Sequence, residues 1–252
     1  MNAAEAALGT DVLFMQGAAG DLSVKTTKED LMDADDPALS EEKLDAAQTT
    51  FLMEAMKLER EQAIAQQQNM IRNEARMVSF GKRMAEEVIT LVKNTETAVP
   101  EKPGVASYFK DYEFPSRVNF NNPVIVKMFG QAFFPELANA SMGSVENNMI
   151  RTRLSVLVLN NELAFVGGSG EFFSDHANRI KARSHATKTF FVGYCNGHNM
   201  YFPTIEGAAQ GGYGADAQVS WVSLGAGEIM MNDALVKIYE ILGDLSLEQM
   251  GS

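Results

Sequence analysis

The sequence has few basic residues, almost no cysteine and no long apolar run. Its 252 residues carry 33 acidic and 21 basic side chains, for a net charge of -12, and the basic ones form no cluster. Surfaces that bind nucleic acid are basic, so this balance argues against a nucleic-acid partner. No apolar run approaches the roughly 20 residues that span a bilayer, so we predict no transmembrane segment.

Cysteine and leader signals are scarce as well. Cys195 is the only cysteine, which excludes a disulfide within the chain, and we expect it to be a small buried residue at a strand end rather than a reactive thiol. The N-terminal residues have neither a basic region nor an apolar core, so we expect no signal peptide. A hydrophobic content of 46% suffices for one large domain or two small ones.

Residues 154–213 carry the clearest structural pattern. Leu154–Leu159 and Leu163–Val166 are apolar runs separated by Asn160-Asn161, which predicts two buried strands joined by a tight turn. A Gly-rich turn follows, and we expect a helix over Phe172–Lys181 and a third strand over Thr189–Tyr194.

Two polar side chains follow these predicted strands. Glu171 comes after the second strand, and Tyr201 lies in the loop after the third. Open α/β sheets bind ligands beyond the carboxyl ends of their strands. We therefore predict that Glu171 and Tyr201 face one cavity, where a carboxylate and a phenol would be the oxygen-donor half of a metal site.

Short motifs in the same order resemble those of the neutral, non-lysosomal ceramidases, zinc amidohydrolases that cleave the N-acyl bond of ceramide. The motifs are Gly20-Asp21-Leu22-Ser23, Gly170-Glu171-Phe172, Asn196 with Tyr201 five residues later, and Gly211-Gly212-Tyr213. The resemblance covers Asp11–Lys25 and roughly Leu154–Leu242.

The resemblance implies a role for several residues. Glu171 and Tyr201 would be zinc ligands, and Ser23 would be the catalytic or substrate-positioning hydroxyl. Tyr194 and Tyr213 are our candidate substrate-binding residues, whose hydroxyls would hydrogen-bond the reacting oxygen. We expect His198, on the same loop as Tyr201, either to contact a zinc ligand without binding zinc itself or to face solvent.

The family's two histidine ligands have no counterpart in this chain. In the family they precede the Gly-Asp motif, whereas here nineteen residues precede Gly20 and none is His. The three histidines, His176, His185 and His198, all come later. The resemblance thus implies the second half of a catalytic domain, incomplete alone, with a partner chain or segment supplying the missing histidines. The family is typically secreted or located at the membrane surface.

We predict an α/β fold with a mixed sheet and flanking helices, as a single ceramidase-like domain over 1–252 with a long helical segment, 40–95. Further strands are expected at Val12–Met15 and Val124–Phe129, and a closing helix over Gly225–Ile241. The expected activity is hydrolysis of ceramide, or a related N-acyl lipid, to sphingosine and fatty acid. The alternative is a non-catalytic interaction protein that recruits partners through the 40–95 helices.

Overall fold

The computed structural model describes residues 2–22, 60–101, 103–132 and 145–245. They belong to two compact units, one of Met1–Phe14 with Val24–Ala98 and one of Met15–Ser23 with Val99–Ser252. The assignment of a single domain stays a prediction. None of the helices in these described ranges is long and apolar enough to cross a membrane.

The first unit contains helices α1 (Asn2–Leu8) and α2 (Arg60–Asn94), which contact each other. The predicted amphipathic helix around residues 80–91 is confirmed, and Gly81 does not interrupt it. Its apolar face is largely exposed, with exposed fractions of 47–74% for the side chains of Met77, Phe80, Met84 and Leu91. The remainder of the predicted helical segment, residues 40–59, lies outside the described residues.

The second unit is built on a mixed sheet, as predicted. Its strands are β1 (Val105–Pro115), β2 (Val145–Glu146), β3 (Met149–Leu159), β4 (Leu163–Gly168) and β6 (Lys188–Val192). The order is β1-β3-β4-β6, with β2 paired to β3. Only the β4–β6 pair is parallel, so the loops that follow these two strands leave the sheet at the same end.

The tight turn between β3 and β4 forms as the sequence predicts. Asn160 and Asn161 both have φ of 56°, the left-handed conformation that asparagine tolerates better than most residues. Two consecutive left-handed residues match the twist of a β-hairpin. The turn therefore brings the apolar runs into antiparallel register.

Helices cover one face of this sheet. Helices α4 (Ser174–Arg183) and α6 (Ala226–Leu242) contact each other, while α4 also contacts β6 and α6 also contacts β3. The core between them and the sheet includes Leu154, Val166, Ile180, Met230 and Ile238. The predicted closing helix is confirmed, and left-handed Gly243 ends it.

The strand expected at Val124–Phe129 is wrong, because the chain forms helix α3 (Pro123–Ala132) there. The side chain of Asn122 accepts a hydrogen bond from the Val124 N–H at 2.9 Å, as an N-cap does. Pro123 then occupies the first helical position, where its missing N–H costs nothing. These local signals prevailed over the β-branched composition.

Two other expectations also need correction. Val12–Met15 has no regular secondary structure. The helix expected from Phe172 begins at Ser174, because Glu171 and Phe172 form a short strand, β5 (Glu171–Phe172). This strand pairs with β7 (Tyr201–Phe202) in a separate two-stranded sheet. A short helix, α5 (Ile205–Gln210), follows β7.

Candidate functional site

The centre of the candidate site is the pair of short parallel strands β5 and β7. Glu171 is the register partner of Tyr201, and Phe172 is the partner of Phe202. Neighbouring strands lie about 4.8 Å apart, and successive side chains point to opposite faces. Glu171 and Tyr201 therefore lie side by side on one face, and the two phenylalanines lie on the other.

The phenylalanines fix this arrangement from the core side. Phe172 and Phe202 are fully buried and stack with ring centroids 4.3 Å apart. A shift of one residue in either strand would expose a phenylalanine and bury a polar side chain, which opposes any other register. Gly170 permits this packing, because a Cβ there would lie 2.6 Å from the Phe202 ring.

The Gly20-Asp21 loop lies directly against β5. The Gly20 N–H donates to the Phe172 carbonyl at 2.9 Å, and a Cβ on Gly20 would lie 2.5 Å from the Glu171 carbonyl oxygen. Asp21 accepts hydrogen bonds from the Ser174 N–H at 2.6 Å and the Ser174 hydroxyl at 3.0 Å. Asp21 thus supplies the cap of α4, since its N-cap residue, Phe173, makes no side-chain cap bond. This role was missed in the sequence because the two partners are far apart in the chain.

The loop between β6 and β7 carries the other polar groups in an unusual backbone conformation. Tyr194, Asn196 and Met200 all have φ between 55° and 60°. Non-glycine residues rarely adopt this conformation, and it tends to occur where surrounding contacts enforce it at functional sites. The Tyr194 side chain on this loop hydrogen-bonds the Glu171 carboxylate.

Of the three histidines, His198 is the one that reaches the site. Its Nε2 lies 3.4 Å from Glu171 Oε1, and its ring stacks on Tyr194 with centroids 5.4 Å apart. His176 is buried against Phe172, and His185 Nδ1 lies 2.9 Å from Asp244. His198 therefore contacts the candidate ligand Glu171, which is one of the two positions that the sequence led us to expect.

The Glu171 carboxylate favours its ionised form. Burial alone would raise its pKa, but hydrogen bonding from His198, Tyr201 and Tyr194 outweighs burial and lowers the pKa below its ordinary value. Three polar partners thus surround a carboxylate whose side chain is 19% exposed.

The two phenols beside this carboxylate favour their protonated form. Burial and the negative charge of Glu171 raise the pKa of Tyr194 to about 12. Burial, followed by hydrogen bonding with Tyr213 and Glu171, raises the pKa of Tyr201 well above its ordinary value. At neutral pH both hydroxyls remain hydrogen-bond donors.

These groups line one cavity of about 450 Å³. Its lining comprises residues from three separate parts of the chain: Gln16, Ala19, Gly20, Asp21, Leu22, Glu171, Tyr194, Tyr201 and Tyr213. The structure therefore brings together four of the five predicted site residues. The fifth, Ser23, lies outside the described residues, although the neighbouring Leu22 is part of the lining.

The described residues supply only part of a zinc site. Glu171 and Tyr201 offer oxygen donors, and the single nearby imidazole, His198, lies against the carboxylate. Across the described ranges, no group of three or more His, Cys, Asp or Glu side chains is arranged to hold a metal ion. Catalytic zinc usually has about three protein ligands, so the described residues do not complete the site.

Comparisons with known proteins give a weak structural likeness. No protein-family profile matches the sequence, and no curated protein matches it. The neutral ceramidase from Pseudomonas aeruginosa is structurally similar over 72% of this chain and 34% of its own, with 15% identity and a TM-score of 0.45. A ceramidase complexed with C2 is similar over 72% of this chain and 36% of its own, with 14% identity and a TM-score of 0.44. The chain thus spans about a third of the length of these structures.

Proposed function

We propose that this chain is part of a zinc-dependent amidohydrolase that cleaves the N-acyl bond of ceramide to release sphingosine and a fatty acid. In this proposal, Glu171 and Tyr201 are ligands and the cavity they line is an incomplete reaction centre. A partner chain or segment outside the described residues supplies the missing histidines.

The observation that carries the proposal is the convergence of the matching motifs. The Gly20-Asp21 loop, Glu171, Tyr201 and Tyr213 come from distant parts of the sequence, yet all line one cavity. Short motifs that matched by chance would have no reason to meet in the fold. Their meeting supports the view that they act as a single site.

The residues around the cavity suit the binding and cleavage of an amide. Tyr194 stays protonated at neutral pH, and its hydroxyl can donate to a carbonyl oxygen as that oxygen gains negative charge. Tyr213 is 78% exposed and packs edge-on against Tyr201 with ring centroids 5.4 Å apart. Its position at the cavity mouth suits contact with an entering substrate. Ser23 keeps its proposed catalytic or positioning role.

A zinc ion, when bound, would polarise the amide carbonyl and lower the pKa of a bound water to about 7. The ionised state of Glu171 suits a ligand for such an ion. Tyr201 would have to give up or share its proton to bind well, which its raised pKa opposes in the absence of a metal.

The proposal is tested by measuring zinc and turnover together. The purified full chain, alone and co-expressed with a segment carrying the missing histidines, is analysed for zinc content and for hydrolysis of ceramide. We expect little zinc and little turnover from the chain alone, and recovery of both with the segment. Glu171→Ala should abolish the recovery, whereas Glu206→Ala, which removes an exposed carboxylate outside the cavity, should not.

Two results would contradict this proposal in different ways. Stoichiometric zinc and robust turnover from the chain alone, lost in Glu171→Ala, would show that the site is complete without a partner. Absence of zinc and turnover in every combination would favour the second candidate function.

The second candidate is a non-catalytic interaction protein, favoured by the exposed apolar face of α2. Met77, Phe80, Met84 and Leu91 recur at helical spacing and are all exposed, as expected of a helix that packs against a partner. A Met84→Asp variant should weaken self-association or partner binding, measured by sedimentation, without changing zinc content or turnover.

A further inference from the structure

A shallow trough crosses the outer face of the main sheet, opposite α6. The strand register places Phe109 beside Ser155, Ser155 beside Gly167 and Gly167 beside Val192. The row thus has its two smallest side chains at the centre. The Cys195 Sγ packs over Gly167, where an added Cβ would lie 2.5 Å from it, so Ser155 and the Cys195 side chain form the floor of the trough.

Larger side chains form both walls of the trough. The adjacent row contains the bulky side chains of Leu157, Phe165 and Phe190, with Ser107 at its end on β1. On the other side, the Arg153 guanidinium lies 5.0 Å above the Phe109 ring, and its charge is balanced by Asp111 at 2.6 Å. The trough therefore has apolar walls on one side and a neutralised ion pair on the other.

The trough is a substantial apolar cavity that is open to solvent. Its volume is about 560 Å³, and its lining, from Met15 across the sheet to Cys195, is almost entirely apolar. Phe109, which is part of this lining, is 66% exposed. Binding of a ligand that removes such apolar surface from water is favourable.

The trough adjoins the cavity of Glu171. Cys195 lines the trough while Tyr194, the residue before it, lines the Glu171 cavity. In the same way, Met15 lines the trough and Gln16 lines the Glu171 cavity. The Gly193 N–H donates a hydrogen bond to the Gln16 carbonyl at 2.8 Å. The backbone at residues 15–16 and 194–195 therefore forms a common boundary between the trough and the candidate reaction centre.

We propose that the trough binds the acyl chain of the N-acyl lipid, with the amide group directed toward Glu171 and Tyr201. The inference rests on the proposed function and adds the location of the chain. A hydrocarbon chain needs apolar contact and no hydrogen bonds, which is what this lining offers. A sugar or an extended peptide would need polar partners along its length, and the floor of Ser155 and the Cys195 side chain offers few.

The single cysteine makes the proposal testable without turnover. Cys195 is partly exposed in the lining of the trough, so a bound chain should slow its alkylation. The full chain is treated with N-ethylmaleimide in the presence of butanamide, octanamide or dodecanamide, and the rate is followed by intact mass. We expect the amide concentration that halves the rate of Cys195 alkylation to fall by up to about fourfold for each added methylene group.

Variants of the trough provide matched controls. Ser155→Leu fills the floor and should weaken protection by dodecanamide at least about tenfold, since the chain then loses several methylene contacts. Ser155 also accepts a hydrogen bond from Asn196 at 2.9 Å, so Phe109→Ser, which removes an exposed wall, is a second test. Val105→Ser changes an exposed residue of the same strand that is not part of the trough lining and should have no effect.

The possible outcomes separate this inference from the proposed function. Protection that does not depend on chain length, or that survives in both trough variants, overturns it. Slow alkylation that depends on protein concentration without any amide also overturns it, because a second copy then covers the face. Protection that depends on the length of the amide chain and persists in Glu171→Gln supports acyl-chain binding in the trough. If that result is obtained but ceramide is not hydrolysed with or without the histidine-carrying segment, only the proposed reaction is wrong.

Discussion

Glu171 and Tyr201 are direct register partners on two parallel strands of two residues each. Their side chains share a cavity because the next residue in each strand, Phe172 and Phe202, is buried on the opposite face. The polar pair is therefore held in place by an apolar pair directly beneath it.

This alternation predicts that substitutions at adjacent positions of β7 differ in how much they lower the free energy of unfolding. Phe202→Ala should lower the free energy of unfolding by about 3 to 5 kcal/mol, because it leaves a cavity in the core. Tyr201→Phe should cost about 1 kcal/mol, the usual net value of one hydrogen bond. Urea denaturation of both variants measures the difference, and similar losses would contradict the register described for β7.

Asp21 should contribute to stability through a helix that is distant in sequence. Asp21→Ala removes the acceptor of the Ser174 N–H, and loss of a cap typically costs about 0.5 to 2 kcal/mol. Asp21→Asn keeps one acceptor oxygen and should recover much of the loss. Thermal or urea unfolding would reveal the difference, and an unchanged midpoint in Asp21→Ala would show that the cap does not form in solution.

Two glycines of the same loop should respond differently to a methyl group. In Gly20→Ala the new Cβ would meet the Glu171 carbonyl oxygen at 2.5 Å, whereas in Gly17→Ala the nearest atom is 4.0 Å away. We expect Gly20→Ala to cost about 1 to 3 kcal/mol through overpacking, and Gly17→Ala to be nearly neutral. A comparison of their urea midpoints tests this. Equal midpoints would place the Gly20 loop away from β5.

The contact between β1 and α6 should make stability depend on pH at the acid end. Asp233 accepts hydrogen bonds from Lys110 at 2.5 Å and Tyr112 at 2.7 Å. Burial would raise the pKa of Asp233, but these two partners lower it below its ordinary value. Its stabilising effect is therefore present above the unfolded pKa, about 3.9, and is lost as pH falls through the folded pKa.

The corresponding measurement compares wild type with Asp233→Asn in urea at pH 7 and pH 3. The difference in unfolding free energy, about 1 kcal/mol for a partly exposed group, should be larger at pH 7. Tyr112→Phe should be destabilised while keeping part of the pH dependence, since Lys110 still pairs with the carboxylate. A difference that grows toward acid pH would have the wrong sign for this contact.

Secondary structure could be predicted where local signals agreed. The apolar runs around Asn160-Asn161 formed the hairpin, and Gly243 ended the last helix as expected. Prediction failed at Val124–Phe129, where a cap and a proline determined a helix. It also failed at β1, where alternating aromatic and charged residues gave no clear strand pattern although the strand pairs along its whole length with β3.

The candidate site likewise has features that could be predicted from local sequence and features that depend on the tertiary structure. The sequence alone determined the residue types, a carboxylate and phenols placed after apolar strands, because strand ends and glycine turns are coded by neighbouring residues. Only the tertiary structure decided that His198 contacts Glu171, that Asp21 caps α4, and that residues of four strands line up as a trough. These relations depend on strand order and register, which come from the burial of distant side chains together and cannot be read from local spacing.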